Sequence, residues 1–273
     1  MRETIFAMSI AGSDSGGGAG IQADLKTFSA LGVFGTSVIT AVTAQNTTGV
    51  RGIQAIKSNM IASQIDAVLE DFDIAAIKIG MIFTKDNVIA IKERLIANRF
   101  AGKLILDPVM VSTQGNKLIL SDATDAICEH LFPISDIITP NVDEAEAILD
   151  MKIFNVEDMM VAAHKLMDKY RLKAVLIKGG HLKEEEITDV FISQEEELFV
   201  KTNKICTRNT HGTGCTLSSA IAAYCARGED IKTAYQSAKT FLTQAITSAV
   251  DIDLGHGHGS VNHFFNPIEL ITK

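Results

Sequence analysis

An anion-binding turn is indicated by residues 209–216, which read NTHGTGCT. Gly212 and Gly214 permit a sharp turn because glycine has no Cβ, and an alanine-rich helical pattern begins directly after them. A helix that begins in such a turn points free N–H groups and the positive end of its dipole into it. These features predict a phosphate site, called glycine loop 2 below, with Cys215 as a reactive side chain whose thiolate the helix end favours.

A second glycine-rich segment, glycine loop 1, spans residues 13–20 and reads SDSGGGAG. Taken by itself, it also predicts a phosphate site. It contains G-x-G-x-x-A at Gly18, Gly20 and Ala23, but residues 38–46 offer no acidic side chain for a ribose, which argues against a Rossmann dehydrogenase. A flexible connector remains the alternative interpretation, and the chain contains no P-loop motif.

Polar residues follow several predicted strands. Asn141 and Glu144 open a predicted helix and share one face of it; they can hold a hydrated Mg²⁺ beside phosphates, or they can simply cap the helix. Lys178 ends an apolar strand, so it can reach a nucleotide phosphate or extend from the sheet edge into solvent. Asp107, which precedes Pro108, is either a metal-linked carboxylate or a turn residue.

Short apolar strands alternate with helical patterns along the chain. Predicted strands cover 5–10, 38–44, 75–80, 103–107, 136–139 and 174–178, with shorter ones near 189–193 and 197–201. Predicted helices cover 20–31, 58–71, 84–99, 121–131, 142–149, 156–170, 214–227 and 230–249. The alternation predicts a parallel sheet with helices on both faces in one α/β domain, residues 1–273. Because the carboxyl ends of parallel strands share one edge, the polar residues should meet there.

Composition excludes several classes of function. The chain has 273 residues, 47% hydrophobic content and a formal net charge of −8, which argues against nucleic-acid and anionic-membrane partners. Residues 27–50 carry no charge, but their threonines and glycines indicate a helix end, a turn and a strand rather than a membrane span. Four cysteines without C-x-x-C spacing indicate reduced thiols. Zinc binding by His256, His258 and His263 is an alternative that lacks a suitably spaced cysteine or carboxylate.

Eight segments together resemble the ribokinase superfamily, and within it the hydroxymethylpyrimidine/phosphomethylpyrimidine kinases of thiamine biosynthesis. The segments are AGSDSGGGAGIQADLKTF (11–28), TAVTAQNTTGV (40–50), KIGM (78–81), LDPVM (106–110), TPNVDEAE (139–146), IKGGH (177–181), NTHGTGCTLSSAIAA (209–223) and LGHGHGSVNHF (254–264). The first, second, seventh and last are specific to this kinase branch. The resemblance spans nearly the whole chain.

The resemblance implies a three-layer αβα ribokinase-like fold with a mainly parallel central sheet. It implies transfer of the ATP γ-phosphate to the hydroxymethyl group of an aminopyrimidine, followed by phosphorylation of the monophosphate to the diphosphate. ATP and Mg²⁺ are the implied cofactors. Since relatives are commonly dimers, the resemblance also implies a homodimer. The reduced cysteines predict a cytoplasmic enzyme.

The resemblance assigns the substrate to glycine loop 1 and the moving phosphoryl group to glycine loop 2, which differs from the expectation from the residues alone. It places Gln45 against the pyrimidine edge, with the rest of the substrate pocket formed by Gly12, Asp24, Met81 and Val109. On the phosphate side, it assigns Asn141, Glu144 and Asp107 to Mg²⁺ and phosphates, Lys178 and Thr210 to the nucleotide, and Gly212, Thr213, Gly214 and Cys215 to the phosphoryl group.

Cys215 stands where most ribokinase relatives carry aspartate, as it does in the pyrimidine kinase branch. A thiolate there can act as the base if its pKa falls towards neutrality; otherwise Cys215 is a small packing residue and the amides stabilise the charge. Three other functions stay open, namely a pyridoxal kinase of the same superfamily, a cysteine hydrolase that uses Cys215 and His211, and a non-catalytic nucleotide sensor. The AQNT segment and the GHGHG tail favour the pyrimidine kinase.

Overall fold

The computed structural model describes residues 4–110, 121–180 and 186–272. Strands β1 to β9 within these ranges are Phe6–Asp14, Phe34–Asn46, Gly49–Ala55, Ile74–Ile79, Lys103–Leu106, Ile137–Ile138, Ala174–Ile177, Glu186–Ser193 and Glu197–Asn203. They form one sheet in the order β3-β2-β1-β4-β5-β6-β7-β8-β9. The strands from β2 to β7 in this order are parallel, whereas β3, β8 and β9 run antiparallel to their neighbours.

Helices cover both faces of the sheet. Helices α1 to α8 are Gly20–Ala30, Ser58–Leu69, Lys85–Ala97, Ser121–Ala126, Val142–Leu149, Val156–Tyr170, Thr213–Ala226 and Ile231–Thr247. One hydrophobic core packs α2 to α6 against the sheet, and a second core packs α1, α7 and α8 against the opposite face. The predicted three-layer αβα fold with a mainly parallel sheet is therefore confirmed.

The apolar strands serve both cores at once because successive side chains of a strand point to opposite faces. In β5, Leu104 and Leu106 lie in the first core and Ile105 lies in the second. Such strands are buried on both sides, which explains why they read as unbroken apolar runs rather than alternating ones.

A hairpin that the sequence did not predict extends the sheet at one edge. Strand β2 begins at Phe34 and continues to Asn46, and β3 returns antiparallel to it over Gly49–Ala55. The prediction of a strand over 38–44 alone was therefore too short. Strand β3 contains Arg51 and two glycines, and its residues are half-buried or exposed, so its sequence gives no clear periodic signal. Hydrogen bonds to β2 hold this strand in the sheet.

The predicted helix over 121–131 is also divided. Helix α4 ends at Ala126, and a π-helical turn over Ile127–Leu131 and a 3₁₀ turn over Phe132–Ile134 follow. Pro133 therefore does not stop the helical turns directly, because it lies in the first positions of the 3₁₀ segment, where its missing N–H breaks no hydrogen bond. The segment ends one residue later, at Ile134.

The uncharged segment 27–50 is not a helical span. It contains the end of α1, a turn, all of β2 and the start of β3. In the ranges that the structure describes, no helix is both long enough and apolar enough to cross a membrane.

Candidate active site

The carboxyl ends of the parallel strands surround a cavity of about 580 Å³. The structure describes all the predicted site residues, and all of them except Asp24 line this cavity. The sheet edge thus brings together residues more than 200 positions apart in the chain, from Gly12 in β1 to Cys215 in α7.

The two glycine loops pack directly against each other at the mouth of this cavity. Gly212 has a φ of +81°, and a Cβ there would lie 1.9 Å from the carbonyl oxygen of Gly18. A Cβ at Gly18 would lie 2.5 Å from Cδ2 of His211. Only glycine fits at these close approaches, so the glycines keep the loops in contact and hold the turn open towards the cavity.

Helix α7 begins in glycine loop 2 with no side chain capping it. Gly212 is its N-cap and makes no side-chain hydrogen bond to the first turn. Helix α1 also begins at the cavity, at Ala19 and Gly20, without a side-chain cap. Helix α5 is capped: Asn141 Oδ1 accepts from Glu144 N, and Glu144 Oε2 accepts from Asn141 N, each at 2.8 Å. The start of α7 is therefore an uncapped helix end at the cavity, of the kind that can bind an anion. The capping-box interpretation of Asn141 and Glu144 is confirmed, although both residues also line the cavity.

A buried ion pair lies beside the uncapped helix. Lys178 Nζ donates to Asp107 Oδ1 at 2.8 Å, and the hydroxyl of Thr139 donates to the same carboxylate at 3.1 Å. Burial alone would raise the pKa of Asp107, but the positive charge of Lys178 lowers it below its ordinary value. Burial alone would lower the pKa of Lys178, but Asp107 and Glu144 raise it. Both partners are therefore charged at neutral pH.

Glu144 has the opposite electrostatic environment from Asp107. Burial raises the pKa of Glu144 to about 7, and the neighbouring Asp107 carboxylate adds to the rise, whereas Lys178 opposes it. At neutral pH this carboxyl is close to half protonated, so a cation that arrives near it would favour the ionised form.

Cys215 is the residue whose electrostatics differ most from expectation. The helix start was expected to lower its pKa, but burial raises the pKa of the thiol to about 11 although Lys78 lowers it in part. The expectation of a favoured thiolate is thus wrong for the site in this form, because loss of hydration outweighs the nearby positive charge. The cysteine hydrolase alternative also loses its basis, because the hydrogen bonds of His211 go to Asp14 and Gln45 rather than to Cys215.

Asp24 lies beneath the cavity rather than in its lining. Its carboxylate oxygens both lie 2.9 Å from Nζ of Lys78, and both residues are fully buried. The hydroxyls of Ser9 and Ser219 donate to the same carboxylate at 2.5 Å. This cluster joins β1, α1, β4 and α7 below glycine loop 2. Asp24 thus accepts four hydrogen bonds from protein groups. A contact between Asp24 and the substrate, which the resemblance implied, stays a prediction.

Glycine loop 1 is organised by a residue that sequence reasoning missed. Asp14 accepts hydrogen bonds from the backbone N–H groups of Gly16, Gly18 and Ala19 at 2.8, 3.1 and 2.9 Å. It also lies 2.8 Å from Nε2 of His211 in glycine loop 2. Burial alone would raise the pKa of Asp14, but these hydrogen bonds lower it below its ordinary value. The acidic residue inside a glycine-rich turn was the available signal.

The far half of the cavity was also missed. It lies between β8, β9 and α8, where Ile187, Leu242 and Ile246 provide apolar lining. Asp189 accepts from Nζ of Lys239 at 2.7 Å and from the hydroxyl of Tyr235 at 3.1 Å. No motif marked these residues, because their chemistry follows from the position of α8 over the antiparallel strands.

The Gly/His tail ties the hairpin to glycine loop 2. The N–H of His258 donates to the carbonyl of Thr47 at 3.0 Å, and the N–H of His211 donates to the carbonyl of Gly259 at 3.0 Å. His263 is buried with Nε2 2.9 Å from the hydroxyl of Thr216, and burial lowers its pKa to about 4. Nowhere in the described ranges do three or more His, Cys, Asp or Glu residues group as metal ligands, so the zinc alternative gains no support.

A mainly parallel sheet between two helical layers, with an uncapped helix start and a Lys–Asp pair at its carboxyl edge, defines a ribokinase-like small-molecule kinase. The chain belongs to the phosphomethylpyrimidine kinase family, whose model matches residues 14–262.

Curated relatives agree over nearly the full chain. A hydroxymethylpyrimidine/phosphomethylpyrimidine kinase from Rhizobium meliloti (strain 1021) is 47% identical over 261 residues, which cover 96% of this chain and 97% of the relative. The enzyme of the same name from Escherichia coli (strain K12) is 43% identical over 260 residues, which cover 95% and 97%.

Solved structures show the same fold. A phosphomethylpyrimidine kinase from Clostridium difficile 630 superposes with a TM-score of 0.78 at 43% identity and covers 89% of this chain and 99% of that one. A Bacillus subtilis pyridoxal kinase in complex with ADP superposes with a TM-score of 0.87 at 33% identity and covers 96% and 98%. The pyridoxal kinase is similar in backbone but less similar in sequence.

Proposed function

We propose that this chain transfers the γ-phosphoryl group of ATP to the hydroxymethyl group of 4-amino-5-hydroxymethyl-2-methylpyrimidine, and then phosphorylates the monophosphate to the diphosphate, in thiamine biosynthesis. The observation that carries the proposal is that one continuous cavity is lined by Gln45, by the uncapped start of α7 and by Lys239. Its volume of about 580 Å³ is typical of small-molecule sites.

The cavity supports an arrangement of the two substrates. The pyrimidine lies near Gln45 and Met81, the nucleotide lies along Lys178 towards α8, and the transferring group lies over residues 212–215. Phosphoryl transfer depends mainly on positioning and on stabilising negative charge. The N–H groups at the start of α7 and the ammonium of Lys178 supply that stabilisation without reorganisation, because the protein already holds them in place.

Magnesium is part of the proposal. Mg²⁺ keeps several waters and needs only one or two protein carboxylates, and Glu144 and Asp107 provide two buried carboxyls that raise each other's cost of ionisation. These residues fit a hydrated Mg²⁺, since a cation would relieve that cost. When bound, Mg²⁺ would neutralise charge on the ATP phosphates.

Cys215 stays in the proposal as the proton acceptor for the substrate hydroxyl. Burial raises the pKa of its thiol, whereas the charge of Lys78 and the backbone N–H of Gly20 lower it in part and so favour the thiolate. The proton would move from the hydroxyl to Sγ as the oxygen attacks phosphorus. The alternative is that Cys215 only fills space and that the amides alone stabilise the transition state.

The proposed enzyme is a cytoplasmic homodimer that acts on free small molecules, without nucleic-acid or membrane partners. The acidic net charge of −8 supports the absence of polyanionic partners. All four cysteines are free thiols, which fits a reducing compartment. The oligomeric state is measured directly by light scattering on the purified protein.

The test of the proposed function is ADP release with ATP·Mg²⁺ and one acceptor at a time. The acceptors are hydroxymethylpyrimidine, its monophosphate and pyridoxal, the last because a pyridoxal kinase shares the fold. We expect turnover with both pyrimidines to exceed turnover with pyridoxal. Faster turnover of pyridoxal than of both pyrimidines would contradict the proposal, and ADP release independent of any acceptor would exclude a kinase for these substrates.

A further inference from the structure

A hydrogen-bond network joins the substrate end of the cavity to both glycine loops. Nε2 of His211 lies 2.8 Å from Oδ2 of Asp14 and 3.3 Å from the side-chain amide of Gln45. The other end of that amide lies 3.2 Å from the hydroxyl of Thr43, which in turn lies 2.9 Å from the carbonyl oxygen of Ser13. Asp14 and His211 are only 3% and 5% exposed, so water cannot readily substitute for these partners.

The proton on His211 is determined by Asp14. This carboxylate already accepts three backbone N–H groups, and its pKa lies below the ordinary value, so it acts only as an acceptor towards His211. Nε2 of His211 therefore carries hydrogen whether the ring is neutral or charged. Nδ1 has no hydrogen-bond partner in the described part of the chain.

The hydroxyl of Thr43 constrains the amide from the other side. Its single hydrogen is directed at the carbonyl oxygen of Ser13, because a carbonyl can only accept. The oxygen of Thr43 can then only accept from Gln45. The structure places the amide nitrogen on the His211 side and the amide oxygen on the Thr43 side. In that orientation two N–H donors face each other, and Thr43 has two acceptors for one hydrogen. A half-turn of the amide keeps its shape, removes the contact between two donors and gives the Thr43 oxygen a donor. The single Nε2 hydrogen of His211 is then shared between Asp14 at 2.8 Å and the amide oxygen at 3.3 Å.

We propose that His211, held by Asp14, fixes the Gln45 amide with its oxygen towards glycine loop 2 and its nitrogen towards Thr43, and thereby determines which hydrogen-bonding pattern the site accepts. His211 is in this sense a positioning residue for specificity. The inference deepens the proposed function and rests on it for the identity of the ligand class.

The fixed amide selects a ring with an acceptor beside a donor, in one direction. An aminopyrimidine presents a ring nitrogen to the amide N–H near Thr43 and its exocyclic amine to the amide oxygen near His211. In the proposed substrate the hydroxymethyl carbon is attached next to the carbon that carries the amine, on the side away from that ring nitrogen. The same orientation therefore directs the reacting hydroxyl towards glycine loop 2, where the phosphoryl group is transferred. The opposite amide orientation would turn the hydroxyl away.

The first experiment needs no variant. Nitrogen-15 NMR of the histidine side chains in the intact protein, with resonances assigned by the loss of one signal in His211→Gln, reports which ring nitrogen of His211 carries hydrogen. We expect hydrogen on Nε2. A His211 whose Nε2 is unprotonated would overturn the proposal, and this result is independent of whether the pyrimidine is the true substrate.

The second experiment measures selectivity. The probes are hydroxymethylpyrimidine and its analogue with an oxo group in place of the amine, which reverses the donor and acceptor. We expect the wild-type protein to favour the amine by roughly 10²-fold or more in kcat/KM. His211→Leu should reduce this ratio by at least about tenfold through KM for the pyrimidine, with KM for ATP unchanged, and His211→Gln, which keeps a donor, should restore most of it.

The matched control is His256→Leu, which removes an exposed histidine from the neighbouring tail and should leave the ratio unchanged. An unchanged ratio in folded His211→Leu would overturn the proposal, whereas absence of turnover with either pyrimidine in the wild-type protein would instead contradict the proposed function. If His211→Leu does not fold, the NMR result on the wild-type protein decides.

Discussion

Cys215 is the residue at which local and tertiary effects oppose each other most directly. Its place in the first turn of α7 favours a thiolate, and its burial favours the neutral thiol strongly enough to raise its pKa to about 11. A base with that pKa would become more effective as pH rises through the neutral and alkaline range, because its ionised fraction would grow.

Replacing Cys215 separates a base from a packing residue. If the thiolate is the base, Cys215→Ala should lower kcat by roughly 10²–10⁴-fold and remove the rise of kcat with pH, as measured by steady-state ADP release between neutral and alkaline pH. Cys225→Ala is the matched control, since Cys225 is another buried cysteine of α7 that does not line the cavity. A loss below about tenfold in Cys215→Ala would leave only the packing role.

Gln45 carries the second prediction at this scale. A side-chain amide can pair a ring nitrogen and an exocyclic amine together, so Gln45→Leu should raise KM for the pyrimidine by about tenfold or more while KM for ATP stays constant. Initial-rate kinetics with each substrate varied in turn measure both constants. Gln54→Leu, which changes an exposed glutamine of β3, is the control. An unchanged pyrimidine KM in Gln45→Leu would refute the assignment.

At the scale of elements, the site depends on how α7 meets glycine loop 1. The Gly212 turn leaves the start of α7 uncapped, and the carbonyl oxygen of Gly18 occupies the space where a Cβ would be. Below the turn, the cluster of Lys78 and Asp24 attaches α7 to α1 and β4 through Ser219. The position of glycine loop 2, where we propose that the phosphoryl group binds, is therefore coupled by packing to the position of α7.

Gly212→Ala should damage activity more than stability. The new Cβ, 1.9 Å from the Gly18 carbonyl oxygen, has to displace one of the loops, and a displacement of about 1 Å at a reacting group can cost 10²-fold in rate. ADP release and the urea midpoint measure the two effects. Gly228→Ala is the control for backbone strain alone, because Gly228 has a φ of +101° and a Cβ there would meet no atom within 4 Å. Equal kcat losses in both variants would contradict the packing argument.

Lys78→Met should lower the free energy of unfolding by roughly 3–5 kcal/mol, because it leaves the buried Asp24 carboxylate without its counter-charge. The double variant Lys78→Met/Asp24→Asn should recover much of that loss, since asparagine is neutral. Its oxygen can accept from one of the hydroxyls of Ser9 and Ser219, and its nitrogen can donate to the other. Urea unfolding of the wild type, both single variants and the double variant gives the coupling free energy. Additive losses would show that the two residues do not act as a pair.

At the scale of the whole molecule, two buried groups give the stability opposite dependences on pH. The pKa of Glu144 is raised from 4.5 to about 7, so the folded protein binds more protons than the unfolded chain between these values and loses stability as pH rises through them. The pKa of His263 is lowered from 6.5 to about 4, so stability rises with pH across that interval. Between about pH 4.5 and 6.5 the two effects oppose each other.

Removing one group should therefore reveal the other. Urea midpoints of Glu144→Gln should rise with pH from about 4.5 to 6.5, because His263 is then unopposed, whereas midpoints of His263→Gln should fall with pH up to about 7, because Glu144 is then unopposed. The lowered pKa values of Asp14 and Asp107 act below this window, since their contributions disappear only as pH falls below the ordinary value of 3.8. Parallel pH profiles for the two variants would contradict the assignment.

The alternation of apolar strands and helices predicted a parallel sheet with helices on both faces, and the polar residues after the strands predicted a site at its carboxyl edge. The resemblance to the pyrimidine kinases supplied the individual residues of the cavity lining around the two glycine loops. These features are local or periodic, so the sequence alone determined them. Strand β3 was not predictable, because an exposed edge strand with two glycines has no periodic signal. The far half of the cavity was missed for a related reason. Asp189 and Lys239 are distant in the sequence and form an ion pair only where α8 packs against β8.

Only the tertiary structure decided what each polar residue does at this edge. Burial, which no motif encodes, raises the pKa of Cys215 and Glu144. Contacts between distant segments pair Asp24 with Lys78 and His211 with Asp14. Residue types and spacing determined which chemistry was available, because glycine turns and helix starts bind anions wherever they occur. The dielectric environment and the hydrogen-bond partners depend on chain segments almost 200 residues apart, so protonation and orientation followed only from the folded arrangement.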